Sequence, residues 1–275
     1  MLTSPGLDAP PERGPVIRTI SFAKPYLVGL GGSIVLFAGG WLTWKGRAII
    51  VELCRHFGYD YITRQSPELP RVSIDTLTPD STRIAIAAVD SVDGNVTDRE
   101  LVSIARLVAS RGAKSIFEFG TFDGRTTLNL ANNAGPDARV ITLDLPAGDA
   151  ESTLAPLHPH ETRYAEKATS GSRYRGTDAE AAITQLYGDS GTFDFTPYHR
   201  AIDFVFVDGS HAYRYVVNDS LHAIEMTKPG GMIVWHDYGR WDDVTRALND
   251  LRRTRHEFAD LAWLDGTTLA VLRRP

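Results

Sequence analysis

From Thr97 to the C-terminus the chain alternates between two apolar periods. "TDRELVSIARLVASRG" sets Leu101, Ile104, Ala105 and Val108 at helical spacing, with Thr97 and Glu100 as a capping box and Gly112 as a stop. Short apolar runs follow, "KSIFEF", "ARVITLD", "AITQLY", "AIDFVFV" and "MIVW", and these read as buried strands. Between them, "TFDGRTTLNLANN", "HAYRYVVNDSLHAIEMTKPGG" and Asp242–Arg253 read as helices. "LAWLDGTTLAVLRR" reads as two strands around an Asp-Gly turn. Strands alternating with helices predict an α/β fold over 97–275: a doubly wound, mostly parallel, Rossmann-like sheet with an antiparallel C-terminal edge.

The first 96 residues follow other rules. Residues 1–24 are rich in Pro, Gly and Ser and read as a flexible leader. Residues 25–46 predict an N-terminal hydrophobic helix, because no side chain from Tyr26 to Trp44 is charged. A bilayer core takes about 20 apolar residues in a helix, and Trp41 and Trp44 sit where an interfacial belt is expected. Five glycines dilute that run, so the segment reads either as a transmembrane anchor or as a membrane-docking helix. The expected location is the cytoplasmic face of a membrane, with the cytoplasm as the alternative. Residues 47–96 form a connector, with a helix near Arg47–Phe57 and then the Pro-rich "SPELPRVSIDTLTP".

Composition narrows the choice further. A net charge of −5 without a basic tail argues against nucleic acid as a partner. The arginine clusters at 252, 253 and 255 and at 273 and 274 read as solvated faces. One cysteine, Cys54, excludes an internal disulfide framework and a thiolate metal cluster. Self-association into a homo-oligomer stays open.

In an open parallel sheet, ligands bind beyond the carboxyl ends of the strands. The first strand is followed by Glu118-Phe-Gly120-Thr121-Phe-Asp123-Gly124, whose glycines permit a tight turn and a close backbone approach. It is neither the G-x-G-x-x-G pattern nor a phosphate loop with Gly-Lys-Ser/Thr. The second strand ends at Asp144, the third at Gly188-Asp189-Ser190, the fourth at Asp208-Gly-Ser-His211 and the fifth at His236-Asp237-Tyr238. Any one of these reads as a turn or cap. Four consecutive acid-bearing ends along one edge repel one another unless a ligand or cation compensates.

These motifs, "EFGTFDG", "VITLDLP", "YGDS", "DFVFVDGSHAY" and "KPGGMIVWHDYG", resemble those of class I S-adenosylmethionine-dependent methyltransferases. More narrowly, they resemble the bacterial group related to macrolide-sugar O-methyltransferases and cephalosporin hydroxylases. The resemblance implies S-adenosyl-L-methionine as cofactor. The Glu118–Gly124 loop, with Gly120, Thr121 and Asp123, would lie along its methionine part. Asp144 would take the ribose hydroxyls, and Asp189 with Ser190 would flank the adenine. It also implies a divalent cation, magnesium or manganese, at Asp208, His236 and Asp237. The imidazole of His236 departs from an all-carboxylate set and favours a softer ion than magnesium.

Methyl transfer to a hydroxyl needs that hydroxyl deprotonated or polarised. His211, three residues after Asp208, matches the position of a proposed base in that group and titrates in the useful range. His222, inside the next helix, reads as packed or surface, and Tyr213, Tyr238 and Trp241 read either as acceptor-pocket walls or as packing. The long segment Pro146–Asp178 reads as a lid, a recognition loop or an excursion. The expected activity is O-methylation of a small-molecule or glycan acceptor. A metal-dependent hydroxylase on the same fold, or a non-catalytic membrane-tethered binding protein, are the competing readings.

Overall fold

The computed structural model describes residues 15–43, 45–47, 49, 50, 53, 65–149, 153–155, 157, 161–165, 167 and 169–274. The chain divides into two compact units, 1–62 and 63–275. In the first, helix α1 spans Pro15–Gly39 and runs into a 3-10 turn at Gly40–Leu42. It therefore begins ten residues before the expected start, inside the proposed leader. Leu27, Val28, Leu30, Ile34, Val35 and Phe37 are all exposed on it. No helix among the described residues is long and apolar enough to cross a membrane, which corrects the transmembrane reading. Gly29, Gly31, Gly32 and Ser33 interrupt the apolar run that suggested it. Most of the helix expected over 47–57 lies outside the described residues.

The second unit is built on one eight-stranded sheet. Its strands are β1 (Arg71–Val72), β2 (Ser115–Phe119), β3 (Arg139–Asp144), β4 (Ile183–Tyr187), β5 (Ile202–Val207), β6 (Thr227–Trp235), β7 (Ala262–Leu264) and β8 (Ala270–Arg273). Their order is β1-β7-β8-β6-β5-β2-β3-β4. All neighbours are parallel except β8, which runs antiparallel to β6 and to β7. The expected fold is the observed one. The connector adds to it: β1, from the Pro-rich stretch, becomes the outermost strand beside β7. The Pro-Gly-Gly expected to end a helix instead lies inside β6, where the pairing with β5 jumps from Ile202↔Thr227 to Phe204↔Met232.

Four long helices cover the two faces: α2 (Asp98–Arg111), α3 (Arg125–Asn133), α4 (Tyr213–Met226) and α5 (Asp242–Thr254). Side chains alternate along each strand, so neighbouring residues face opposite layers. Phe117, Phe119, Val205, Val207, Ile233 and Trp235 pack with Val216 and Met226 of α4 and Leu248 and Leu251 of α5. Ile116, Phe204, Phe206, Met232 and Val234 pack with Leu101, Ile104 and Leu107 of α2 and Leu130 of α3. Burying each such side chain contributes about 1.5–3 kcal/mol. This fixes the central strands, so the loops beyond their carboxyl ends are held by a rigid floor. The predicted capping box on α2 is present, and Gly112 takes the left-handed conformation that stops the helix.

Residues 85–89 are tied to α3. The side-chain amides of Asn129 and Asn133 both donate to and accept from the backbone of Ala87 and Ala85, at 2.7–3.0 Å. Buried Arg125 adds hydrogen bonds to the carbonyls of Ala88 and Val96. A polar stripe on α3 thus binds backbone that would otherwise lack partners.

Candidate active site

Strands β2 and β5 are adjacent, and the loops that leave them meet. Asp208 donates its backbone N–H to the Phe119 carbonyl at 2.9 Å. A Cβ on Gly120, whose φ is +85°, would stand 2.1 Å from the Asp208 carbonyl oxygen. Only glycine allows this approach, so Gly120 sets the spacing between two candidate loops rather than merely turning the chain.

Beyond β5 and β6 the structure gathers Asp208, His211, His236 and Asp237. The Nδ1 of His236 is 3.0 Å from Asp208 Oδ1 and 3.3 Å from Asp237 Oδ2, and its Nε2 is 3.4 Å from Glu100 Oε2. The Nε2 of His211 is 2.7 Å from Asp237 Oδ2, and its Nδ1 is 2.5 Å from Glu161 Oε1. Trp241 stacks on the His211 ring at 4.3 Å, the planes 5° apart. Asp237 is placed by a left-handed φ of +64° and by its N–H donating to Thr268 Oγ1.

Four carboxyl groups therefore surround two imidazoles. Burial alone lowers the His211 pKa, but the charges of Asp237 and Glu161 outweigh it and push the pKa up to about 10. His236 is raised well above the usual histidine range by Asp237 and Asp208, again against burial. Burial raises the carboxyl pKa of Asp237, yet the two imidazoles hold it well below the carboxylate range. Glu100 is held low in the same way, chiefly by His236 against the effect of burial, with help from the Thr268 N–H. Both rings thus carry their protons at neutral pH. Negative groups still outnumber positive ones.

One oxygen each from Asp208 and Asp237 and one nitrogen from His211 lie within 4.8 Å of one another, a grouping that could hold a metal ion. The expected set named His236 in place of His211. In the structure both nitrogens of each ring face carboxylates; Asp237 is shared between the two rings, and Asp208 faces His236. Two carboxylates and an imidazole fit manganese or zinc better than magnesium, which prefers oxygen ligands throughout.

The other half of the edge differs. Glu118 is fully buried, and its Oε2 accepts hydrogen bonds from Thr127 at 2.5 Å and Thr142 at 2.6 Å. Its Oε1 has no hydrogen-bond partner, and burial pushes its pKa up to about 8, so it is neutral at pH 7. Thr121 shares a 2.6 Å hydrogen bond with Thr142 and accepts one from Gln185. The Asp123 carboxylate turns to Arg173 Nε at 2.6 Å and also accepts from Asn95 and from the Arg125 N–H. A Cβ on Gly124 would meet Tyr174 and Gly171. Asp123 and Gly124 are thus roofed by residues 171–174.

Asp144 Oδ2 lies 2.9 Å from Lys167 Nζ. Asp189 accepts from the N–H groups of Gly191 and Leu154, and the Ser190 carbonyl accepts from Asn218. A cofactor with hydroxyl and amino donors fits the acids at the tips of β3 and β4, and an orphaned buried acceptor stands at Glu118. Asp123 has its oxygens committed to the protein itself.

Three residues went unassigned by sequence. Glu100 was noted only as a cap, and its second contact, to His236, spans 136 positions. Glu161 lies in the long segment with no motif around it. Asp219 of α4 is buried beneath Gly209, and burial pushes its pKa up to about 7. Of the aromatics, Tyr238 is packing: its hydroxyl accepts from the N–H groups of Glu68 and Leu69 and donates to Asn249. Tyr213 bonds to Asp250, and His222 packs on Phe195. His158 and His160 lie outside the described residues.

Residues 117–238 match the family model described as a methyltransferase domain. The match opens in β2 and closes on Tyr238 beyond β6, so it spans every strand-end acid above. No curated protein sequence matches the chain. Solved structures similar to it include the O-methyltransferase TomG from Streptomyces achromogenes, involved in tomaymycin synthesis, in complex with SAM. It is 16% identical, with a TM-score of 0.47 over 68% of this chain and 92% of that one. An O-methyltransferase from Bacillus cereus in complex with SAH is 15% identical, with a TM-score of 0.47 over 66% and 84%. A SAH-bound methyltransferase from Podospora anserina is 14% identical, with a TM-score of 0.47 over 66% and 81%.

Proposed function

We propose that the protein transfers the methyl group of S-adenosylmethionine to a hydroxyl of a small-molecule or glycan acceptor. The observation that carries this is the cluster of Asp208, His211 and Asp237 at the strand ends of a methyltransferase domain. In this reading Asp144 and Asp189 hold the cofactor's hydroxyl and amino groups, and Glu118 presents its free oxygen beneath the Gly120 turn. Lys167 must then yield Asp144 to the ribose hydroxyls.

His211 is the proton acceptor of this reading, and its setting constrains how it works. Clamped by two carboxylates that push its pKa up to about 10, the ring is mostly protonated at pH 7. Such a ring holds a proton well once it has taken it, but is seldom ready to take one. Neutral-pH turnover therefore requires one carboxylate to be engaged elsewhere. A divalent cation held by Asp208 and Asp237 would supply that, and would polarise the acceptor oxygen. The ring nitrogen facing Asp237 is the one that takes the proton, while Trp241 keeps the ring plane fixed.

Isothermal titration of the full chain with S-adenosylmethionine, its demethylated product and NAD tests the reading. Binding of the first two and not of NAD is expected. Binding of neither would sink it. Manganese titration of the wild type and of Asp208→Asn tests the cation: a site present in both would place the metal elsewhere.

A further inference from the structure

The His211 ring is held on three sides. Asp237 faces Nε2 and Trp241 lies on the ring face, and both follow β6 within six residues of each other. The third contact comes from a distant part of the chain. Glu161 sits 50 positions before His211, in the long segment between β3 and β4. Its Oε1 is 2.5 Å from His211 Nδ1 and accepts the His211 backbone N–H. Its Oε2 accepts from Ser210 Oγ at 3.0 Å. The Glu161 side chain is 7% exposed.

A buried carboxylate costs several kcal/mol in desolvation unless its oxygens find charged or hydrogen-bonding partners. Both oxygens of this one engage Ser210 and His211, the turn that carries the ring into α4. A structural tie for the long segment could end on any exposed backbone of the turn. This one instead engages both the backbone and the ring of His211. Asp237 alone would leave the ring free to pivot about its Cβ–Cγ bond, because one contact at Nε2 fixes a point and not a plane.

We infer that Glu161 is a positioning residue for His211: it fixes the Ser210–His211 turn and holds the imidazole flat against Trp241. The long segment thereby reaches the His211 ring through the Glu161 side chain. The use made of the positioned ring rests on the methyl-transfer reading; the positioning itself does not.

The test reads the ring directly. A proton on the face of an indole at stacking distance is shifted upfield, so the His211 Cε1–H signal in a carbon-13 correlated spectrum marks the stack with Trp241. The signal is assigned from its loss in His211→Gln. In Glu161→Ala it is expected to move to the position of an unstacked histidine, as it does in Trp241→Leu, while the melting transition stays cooperative. In Glu161→Gln, which keeps an acceptor for the backbone N–H and presents its amide donor to the Ser210 hydroxyl, it should stay closer to wild type. A wild-type shift in Glu161→Ala would overturn the inference. If that variant does not fold, Glu161→Asp decides by the same signal: displacement supports the role and an unmoved signal overturns it. Failure of the wild type to bind S-adenosylmethionine removes the methyl-transfer reading and leaves this result standing.

Discussion

The carboxyl edge of the sheet places acids at strand ends twice, with opposite outcomes. Beyond β2, β3 and β4, the acids are met one at a time: Glu118 by two threonine hydroxyls, Asp144 by Lys167, Asp189 by backbone N–H groups. Beyond β5 and β6, they are concentrated: Asp208 and Asp237, with Glu100 and Glu161 from elsewhere, share two imidazoles. Separate acids, each answered by its own hydroxyls, backbone N–H groups or lysine, suit a ligand that brings hydroxyl and amino groups. Crowded acids that drive histidine pKa values upward suit proton and cation chemistry. On the proposed reading, one topological rule yields a binding half and a reacting half, and local partners decide which is which.

The largest expected effect falls on the reacting half. His211→Ala should cut methyl transfer by about 10²–10⁴-fold, the usual worth of a positioned proton acceptor. Its dissociation constant for S-adenosylmethionine should stay within about twofold of wild type, since no binding-half residue touches it. Calorimetry beside a methyl-transfer assay on a panel of hydroxyl acceptors separates the two numbers. A large loss of cofactor affinity would break the division between the halves.

The converse variant is Asp144→Ala. If Asp144 takes the ribose hydroxyls as proposed, losing its carboxylate should weaken cofactor binding by about 10–100-fold. Manganese binding at Asp208 and Asp237 should not change. If cofactor affinity is unmoved, Lys167 holds Asp144 permanently and the ribose lies elsewhere.

The halves also separate by pH. Glu118 carries a raised pKa of about 8, so between about 4.5 and 8 the folded protein keeps a proton that the unfolded chain has released. Its contribution is complete below that window and is lost as pH rises through it. His211, raised to about 10, likewise contributes fully below its unfolded value near 6.5 and loses that contribution as pH rises through 10. Glu118→Gln should therefore flatten the melting temperature over the lower window, and His211→Gln over the upper one. At pH 8 the first substitution should stabilise by on the order of 1–3 kcal/mol. Identical profiles for both variants would mean that the two groups titrate as one system.

How much of this was legible follows the range of each interaction. Apolar periodicity along five strands and the capping of α2 are local, and they were readable together with the mostly parallel sheet. The strand-end acids were readable because the topology itself carries them to one edge. Glu100 and Glu161 were not, since each joins the cluster across 136 and 50 positions with no pattern to mark it. His236 was read as a ligand from its place in a motif. Only geometry shows that both of its nitrogens face carboxylates, as do both of His211's, and that a His211 nitrogen lies within 4.8 Å of oxygens of Asp208 and Asp237. At the N-terminus the apolar run was read correctly as a helix; its interruption by glycine bears on the membrane question in a way that counting uncharged residues does not capture.

The smallest expected effect tests where the binding half stops. Asp123 stands in the glycine-rich turn and would be taken for a cofactor contact from sequence. Its carboxylate is instead spent on Arg173, Asn95 and the Arg125 N–H, which tie residues 95 and 171–174 to the turn. Asp123→Asn keeps the acceptor for the Arg125 N–H and weakens the Arg173 contact. That pair is largely buried, at 16% exposure for each side chain, so the loss should be about 1–2 kcal/mol of stability, read as a lowered denaturant midpoint. Cofactor affinity should change by no more than about threefold. If affinity instead falls as far as in Asp144→Ala with stability intact, Asp123 belongs to the cofactor. The roof formed by 171–174 would then have to lift on binding.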